Sequence, residues 1–265
     1  MSESELEVMV ITVDEYYYIP KFLEPICSSD TIDVVSITTV PPSLGTETMP
    51  RFVLRLLRTF GPRVFSRHAA FYSKYLVLDL IYRHVGIGQP YSSKSIASEH
   101  EIEYLHTDNI NSGEFKSYAA NKSPDVIASI AATQKFDSGL LNIPERGAVN
   151  IHSSLLPQYR GISPTFWTLL NDEDQTGLTV HYMDEDLDAG DIILQQPLAI
   201  RTDESQHSLH KRIAAEGAEV LLAALEQIRV DSVDATPMDS ENGSYYSMPE
   251  REDVREFLSR GNTFY

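Results

Sequence analysis

Leu6–Val13 (LEVMVITV) is an apolar, β-branched run. It forms a buried strand. Asp14 and Glu15 follow, then an apolar-periodic stretch from Ile19 to Ile26, then a second β-branched run, Ile32–Val40 (IDVVSITTV), which stops at Pro41-Pro42. Strand, helix, strand is the opening unit of a parallel α/β sheet. A third strand is due within a few residues, yet about 60 residues separate Val40 from the next candidate, Ile102–His106. The intervening segment, about 45–90, is an insertion with helical periodicity. Phe52, Leu56 and Phe60 share one face, and Tyr72, Leu76, Leu80 and Ile81 mark a second helix.

Past His106 the alternation resumes. A helix is expected near Ser112–Asn121, a strand at Val126–Ala132, a helical turn at Asp137–Leu141 and a strand at Ala148–His152. The Ser-, Pro- and Gly-rich run Ser153–Ser163 reads as a loop at the carboxyl end of that strand, where open α/β sheets carry their chemistry. Pro164 suits the first turn of a helix to about Asn171. Thr176–Met183 alternates, with Leu178, Val180 and Tyr182 on one face and Thr179, His181 and Met183 on the other. An acidic turn, Asp184–Gly190, and a strand, Ile192–Ile200, follow. A helix of about 20 residues from Ser205 carries Leu209, Ile213, Val220, Leu221 and Ile228 on its apolar stripe. Residues 1–230 read as one α/β domain, a mostly parallel sheet flanked by helices, and residues 231–265 as an irregular tail with one short helix, Pro249–Leu258.

The composition, 42% hydrophobic and 23% charged over 265 residues, is that of a globular protein. No apolar stretch is long enough to span a membrane, and no basic end precedes an apolar run at the start, so the chain is expected to be cytoplasmic and without a membrane span. One cysteine, Cys27, leaves no disulfide framework and no cysteine-cluster metal site; no metal is expected. Lys plus Arg number 21 against 39 Asp plus Glu, a net charge of −18. Arg51–His84 holds seven bases and one acid, 7 − 1 = +6, leaving 14 − 38 = −24 for the remainder. Few lysines, and acids in almost every loop, read as halophilic adaptation of an acidic protein to a salty cytoplasm, where charge is screened over a few ångströms.

Three clusters carry candidate chemistry. Asn150 and His152 alternate on one strand, so both project to the same face near its end. Asp188 lies in Leu187-Asp188-Ala189-Gly190, a tight turn that can bring a carboxylate toward that face. The loop Ser153–Gly161 is the third. An amide, an imidazole and a carboxylate suit acyl transfer without a covalent intermediate, since the amide and a protonated imidazole steady an oxyanion while the carboxylate handles a proton. A hydrogen-bonded structural histidine and a turn-forming Asp are the alternative readings of the same residues.

The ordered motifs Asn150-Ile151-His152-Ser153-Ser154-Leu155-Leu156-Pro157, Tyr159-Arg160-Gly161, Gly177-Leu178-Thr179-Val180-His181 and Leu187-Asp188-Ala189-Gly190 resemble those of the 10-formyltetrahydrofolate-dependent formyltransferases. The likeness is dense over Ser123–Pro197 and loose over the first half. It implies a Rossmann-like fold, a catalytic domain over 1–230 and formyl transfer to a primary amine. Asn150, His152 and Asp188 become the catalytic triplet. It implies 10-formyltetrahydrofolate as co-substrate, its pterin lying between Thr133, Gln134, Lys135 and Phe136 on one wall and Asp184, Glu185 and Asp186 on the other. Phe136 is equally well plain core. Arg160 and His181 are implied to contact substrate, His181 having space-filling beneath the loop as its alternative.

Acids at Asp14 and Glu15 argue against a phosphate site at the first helix. A methionyl-tRNA formyltransferase would continue into a carboxyl-terminal barrel, for which 36 residues after Arg229 are too few, and Pro164-Thr165-Phe166-Trp167 is closer to the amino-sugar branch. The expected acceptor is therefore a small amine, foremost an amino-sugar nucleotide. Methionyl-tRNA is the alternative, and hydrolysis of the folate or a non-catalytic binding module ranks below it. Arg51, Arg55 and Arg58 share a helical face that could grip a nucleotide, an RNA stem or a lipid headgroup, or could pair with the protein's own acids. Tyr245, Tyr246, Phe257, Phe264 and Tyr265 give the tail more aromatic surface than a frayed end needs, so it packs on its own domain or, in a homodimer, on a partner subunit.

Overall fold

The computed structural model describes residues 4–43 and 47–265; the first residues of the expected insertion, 45 and 46, lie outside the described residues. The elements in chain order are β1 (Leu6–Val13), α1 (Ile19–Cys27), β2 (Ile32–Val40), α2 (Met49–Val85), α3 (Ser93–Glu99), β3 (Tyr104–His106), α4 (Gly113–Lys122), β4 (Val126–Ile130), α5 (Ser138–Leu141), β5 (Ala148–His152), β6 (Arg160–Gly161), α6 (Pro164–Leu170), β7 (Gln175–Tyr182), β8 (Ile192–Ala199), α7 (Gln206–Arg229), β9 (Tyr245–Tyr246) and α8 (Arg251–Ser259). Seven strands form one sheet in the order β3-β2-β1-β4-β5-β7-β8. The first five are parallel; β7 pairs antiparallel with β5, and the edge strand β8 antiparallel with β7.

β1 shows why its run is unbroken rather than alternating. Val8 and Val10 pack into a core with α1 and α7, while Met9 and Ile11 pack into a second core with Phe115 and Phe136 on the opposite face. A strand buried on both faces has no solvent side to fill with polar residues.

Glu15 starts α1. Its Oε2 accepts the backbone N–H groups of Tyr17 (2.9 Å) and Tyr18 on the way into the helix and of Ile19 (3.0 Å), the first helical residue, whose N–H a helix leaves unpaired. Burial pushes the Glu15 carboxyl above the usual carboxylate range, and those three donors pull it back. A phosphate at this helix end would have to displace the carboxylate.

The insertion folds as α2, broken at Gly61 (φ 74°, ψ 166°) ahead of Pro62. Proline strips the helix of an N–H and disfavours helical backbone in the residue before it, which Gly61 resolves by leaving the helix region altogether. The two expected helices are thus present but joined end to end. The helix α3 was not expected; it is nucleated by Ser92, whose hydroxyl accepts from the Ser95 amide. β4 ends two residues before the expected Ala132, because Ala131 turns into the left-handed region (φ 54°).

The tail packs on its own domain. Phe257 and Phe264 are buried against Phe166, with the Phe257 ring stacked at 4.8 Å. The carbonyls of Thr263 and Phe264 accept the Gln206 and His207 N–H groups (2.9 and 3.0 Å) and so cap α7. β9 adds to β6, a two-strand pairing in what the sequence presents as loop and irregular tail. Replacing Phe257 by Ala is therefore expected to cost about 3–5 kcal/mol of whole-domain stability, measured as a lower midpoint of a single urea transition. An unchanged main transition would mean that the tail is an independent appendage.

Candidate active site

The site is built at the carboxyl end of β5. Antiparallel register sets Asn150 opposite His181 and His152 opposite Thr179 on β7. His181 is nearly inaccessible, 2% exposed, and its Nδ1 lies 2.7 Å from the Tyr182 carbonyl oxygen. A carbonyl only accepts, so Nδ1 carries the proton and Nε2 keeps its lone pair in the neutral ring. Burial pushes this imidazole down to about 4. Neutral Nε2 then accepts from the Asn150 amide nitrogen at 3.2 Å. That contact decides which way the Asn150 amide points and leaves its second N–H to donate elsewhere.

His152 is oriented by the opposite tautomer. Its Nε2 donates to the Tyr159 carbonyl at 2.8 Å, so Nδ1 is the free edge of the ring. Asp188 faces that edge. Its Oδ1 lies 3.7 Å from His152 Nδ1 and 3.7 Å from His181 Nε2, and its Oδ2 accepts the Gly161 N–H at 2.8 Å. Asp188 itself takes left-handed backbone (φ 48°), and a Cβ at Gly190 would meet the Tyr182 carbonyl oxygen at 2.1 Å, so the turn closes against β7 only with glycine there. Arg160 holds the same turn from the other side, donating to the Leu187 carbonyl at 2.6 Å and to the Ser240 carbonyl at 3.4 Å.

The loop between His152 and Arg160 is secured from β7, β8, α6 and the tail. The Thr179 hydroxyl donates to the Ser154 carbonyl (2.7 Å) and accepts from the Leu156 amide (3.2 Å) and from Gln195 (2.9 Å); Gln195 also reaches the Leu156 carbonyl (2.7 Å). Tyr159 stacks on Tyr246 at 5.2 Å, Tyr246 stacks on Trp167 at 4.8 Å, and the Trp167 indole donates to the Ile162 and Ser247 carbonyls. The sequence marks Thr179 by its place in the Gly177–His181 motif and beside His181 on one face of β7, and neither assigns it to the loop. The tail's share in the loop had none.

The structure thus brings Asn150, His152, Asp188 and His181 together, with Arg160 behind the Asp188 turn. His181 sits behind Asn150 rather than on an open wall, and acts on the site through that amide. Of the expected pterin walls, Thr133 donates to the Pro41 carbonyl (2.7 Å), and Gln134 staples the loop after β3, donating to the Asp108 carbonyl (2.9 Å) and accepting from the Ile110 amide (3.1 Å). Lys135 is exposed, as are Asp184, Glu185 and Asp186. The Phe136 ring is core, buried with Met9, Ile11 and Phe115, because the turn after β4 folds back over the second face of the sheet. Arg51 and Arg58 are exposed on α2, and Arg55 is held by Glu47 at 2.8 Å; among the described residues no hydrogen bond or ion pair links them to the β5 cluster. Among the described residues no group of three or more His, Cys, Asp or Glu is placed to hold a metal ion, and no helix is long and apolar enough to cross a membrane.

A family model described as Formyl transferase matches residues 87–225, just over half of the chain and all four clustered side chains. A methionyl-tRNA formyltransferase of Geobacter metallireducens is 37% identical over 160 residues, 60% of this chain and 51% of that one. The chain spans about half the length of the curated relatives it matches. Among solved structures, a phosphoribosylglycinamide formyltransferase from Anaplasma phagocytophilum superposes with a TM-score of 0.60 at 17% identity, over 92% of this chain and 100% of that one. An N-formyltransferase from Helicobacter canadensis, in complex with folinic acid and dTDP-3-aminofucose, superposes with a TM-score of 0.58 at 16% identity, over 94% and 72%. At those identities the likeness is one of fold.

Two consequences of this geometry are measurable. His181 and the half-buried His210 are both pushed down to about 4, with desolvation the leading cause. Each is neutral in the fold and takes up a proton near 6.5 when unfolded, so its contribution is full above pH 6.5 and is lost as pH falls toward 4. The urea midpoint is expected to drop across that window, and His181→Gln to flatten the slope. Separately, Thr179→Val leaves the Ser154 carbonyl and Leu156 amide short of a partner, and is expected to cost about 1–3 kcal/mol and to speed proteolytic cleavage within 153–159.

Proposed function

The chain belongs to the formyl transferase family, and on that premise we propose that it transfers the formyl group of 10-formyltetrahydrofolate to a primary amine, foremost that of an amino-sugar nucleotide or a similar small acceptor. The observation that carries this reading is the meeting of an Asn amide, a His ring edge and an Asp carboxylate within one cluster, each already oriented by a second protein group.

The folate supplies the formyl carbon as electrophile. The acceptor amine attacks it directly, and the carbonyl electron pair moves onto oxygen. Asn150 donates to that oxygen through the N–H that His181 does not use, and His152 donates through Nδ1 when that atom is protonated. Such donors are effective because they are aimed before charge develops and need no reorganisation. Asp188, facing His152, takes the proton released by the attacking nitrogen, directly or through one water, and proton return to the departing folate nitrogen completes the exchange.

Two features support a small acceptor. The carboxylate of Glu15 occupies the α1 end where a phosphate monoester would otherwise be welcome. Residues 240–248 lie along the loop after β5, with Gln158 donating to the Asn242 carbonyl and the Tyr159 amide to Ser244, which walls one flank of the site. Trp167, whose position favours the amino-sugar branch, is buried as a latch for the tail. A second reading, methionyl-tRNA as acceptor, is favoured by relatives such as the methionyl-tRNA formyltransferase of Geobacter metallireducens, 37% identical over 160 residues.

Purified protein with labelled 10-formyltetrahydrofolate is expected to label nucleotide-linked amino sugars, and not glycinamide ribonucleotide or charged initiator tRNA. Asn150→Ala and His152→Ala are each expected to lower turnover by about 100-fold or more. Exclusive labelling of the tRNA would overturn the acceptor, and failure of the protein to bind the folate at all would overturn formyl transfer.

A further inference from the structure

Between Thr48 and Ser98 the sequence has a single acid, Asp79. Its carboxylate is buried, accepting from the Tyr91 amide and the Ser92 hydroxyl at 2.9 Å each. Every exposed charge on α2 is therefore positive. Arg55 is matched by Glu47, whereas Arg58, Arg63, Arg67 and Lys74 are exposed and, among the described residues, make no ion pair. In a chain with 39 acids, a surface of this length without one is a strong local departure.

The same helix concentrates the protein's exposed large apolar side chains. Leu54 and Leu57 project before the Gly61 break, and Val77, Leu80, Ile81 and Val85 after it, Val77 being 52% and Val85 62% exposed. The last four recur at i, i+3, i+4 and i+8, which is one helical face. Arg63, Arg67 and Lys74 extend that face toward the break, at spacings of four, seven, three and four residues through Val77 to Ile81. Contiguous apolar surface of this kind marks a docking face.

Three occupants can be weighed. A second copy meeting this face with its own would set cations against cations, with no exposed carboxylate on α2 to pair them. A nucleic acid would satisfy the cations but leave Val77, Leu80, Ile81 and Val85 against phosphates and water. An anionic lipid surface satisfies both halves: apolar side chains enter the boundary between headgroups and acyl chains while arginine and lysine stay at the phosphates. We propose that the outer face of α2 docks this protein on an anionic lipid surface. The rest of the chain, at 14 − 38 = −24, is repelled by the same surface, so attraction and repulsion together fix one orientation, α2 toward the lipid.

Flotation of the full chain with vesicles tests it. At about 0.1 M salt, where charge reaches about 10 Å, the protein is expected to float with phosphatidylglycerol vesicles and not with phosphatidylcholine vesicles. Arg63→Glu with Lys74→Glu removes two cations, each worth roughly fivefold near an anionic surface, and is expected to weaken binding by more than tenfold. Ile81→Glu is expected to weaken it comparably, whereas Lys211→Glu on α7 leaves it unchanged; all four positions are exposed, and circular dichroism checks the fold. No flotation with phosphatidylglycerol, equal flotation with phosphatidylcholine, or protection of Ile81 in a soluble dimer or on co-purified nucleic acid would overturn the proposal.

Discussion

The antiparallel register of β7 on β5 sets Asn150 beside His181 and His152 beside Thr179, and the candidate site depends on that pairing. A slip of β7 by one residue would send His181 and Thr179 to the face opposite Asn150 and His152, since successive residues of a strand alternate. From this register the remaining constraints follow in order. Neutral His181 orients Asn150, Thr179 holds the loop that supplies the Tyr159 carbonyl to His152, and the turn closed by Gly190 on Tyr182 brings Asp188 into range of both histidines. Parallel strands β1, β4 and β5 carry the sheet to this point, and the reversal at β7 is what folds the acidic turn back over its end.

Much of the polar chemistry around the cluster is spent on orientation rather than exposed to solvent. His181 is dry and neutral, Arg160 is committed to carbonyls of the Asp188 turn and of the tail, and Glu15 is consumed in capping α1. Each of these residue types, read alone, suggests a ligand contact. Each instead satisfies backbone or side-chain groups that burial would otherwise leave unpaired, which is why a site built from so few side chains keeps a single geometry. The tail contributes in the same way, through the Tyr159–Tyr246–Trp167 stack and the capping of α7, so stability of the whole domain and order of the site rest on the same contacts.

Charge is segregated on this molecule by position rather than by average. The net −18 describes a body rich in exposed carboxylates and one long helix that displays none. A single figure for the chain conceals that division. Because Coulombic attraction in salt acts over about a Debye length, a partner approaching α2 meets the local sign and not the total.

The α/β class, the strand order of appearance, the helical character of the insertion and the grouping of Asn150 with His152 are legible in the sequence, because each rests on a local period or on neighbours two residues apart. The sequence also carries the family likeness, in four motifs spread over 150–190. Tertiary structure alone decided the rest. That Phe136 is core, that His181 works through Asn150, that Arg55 belongs to Glu47 and that the tail latches the loop all turn on which segments meet in space. Such meetings are settled by long-range packing and by the pairing of buried polar groups, and neither leaves a period in the chain.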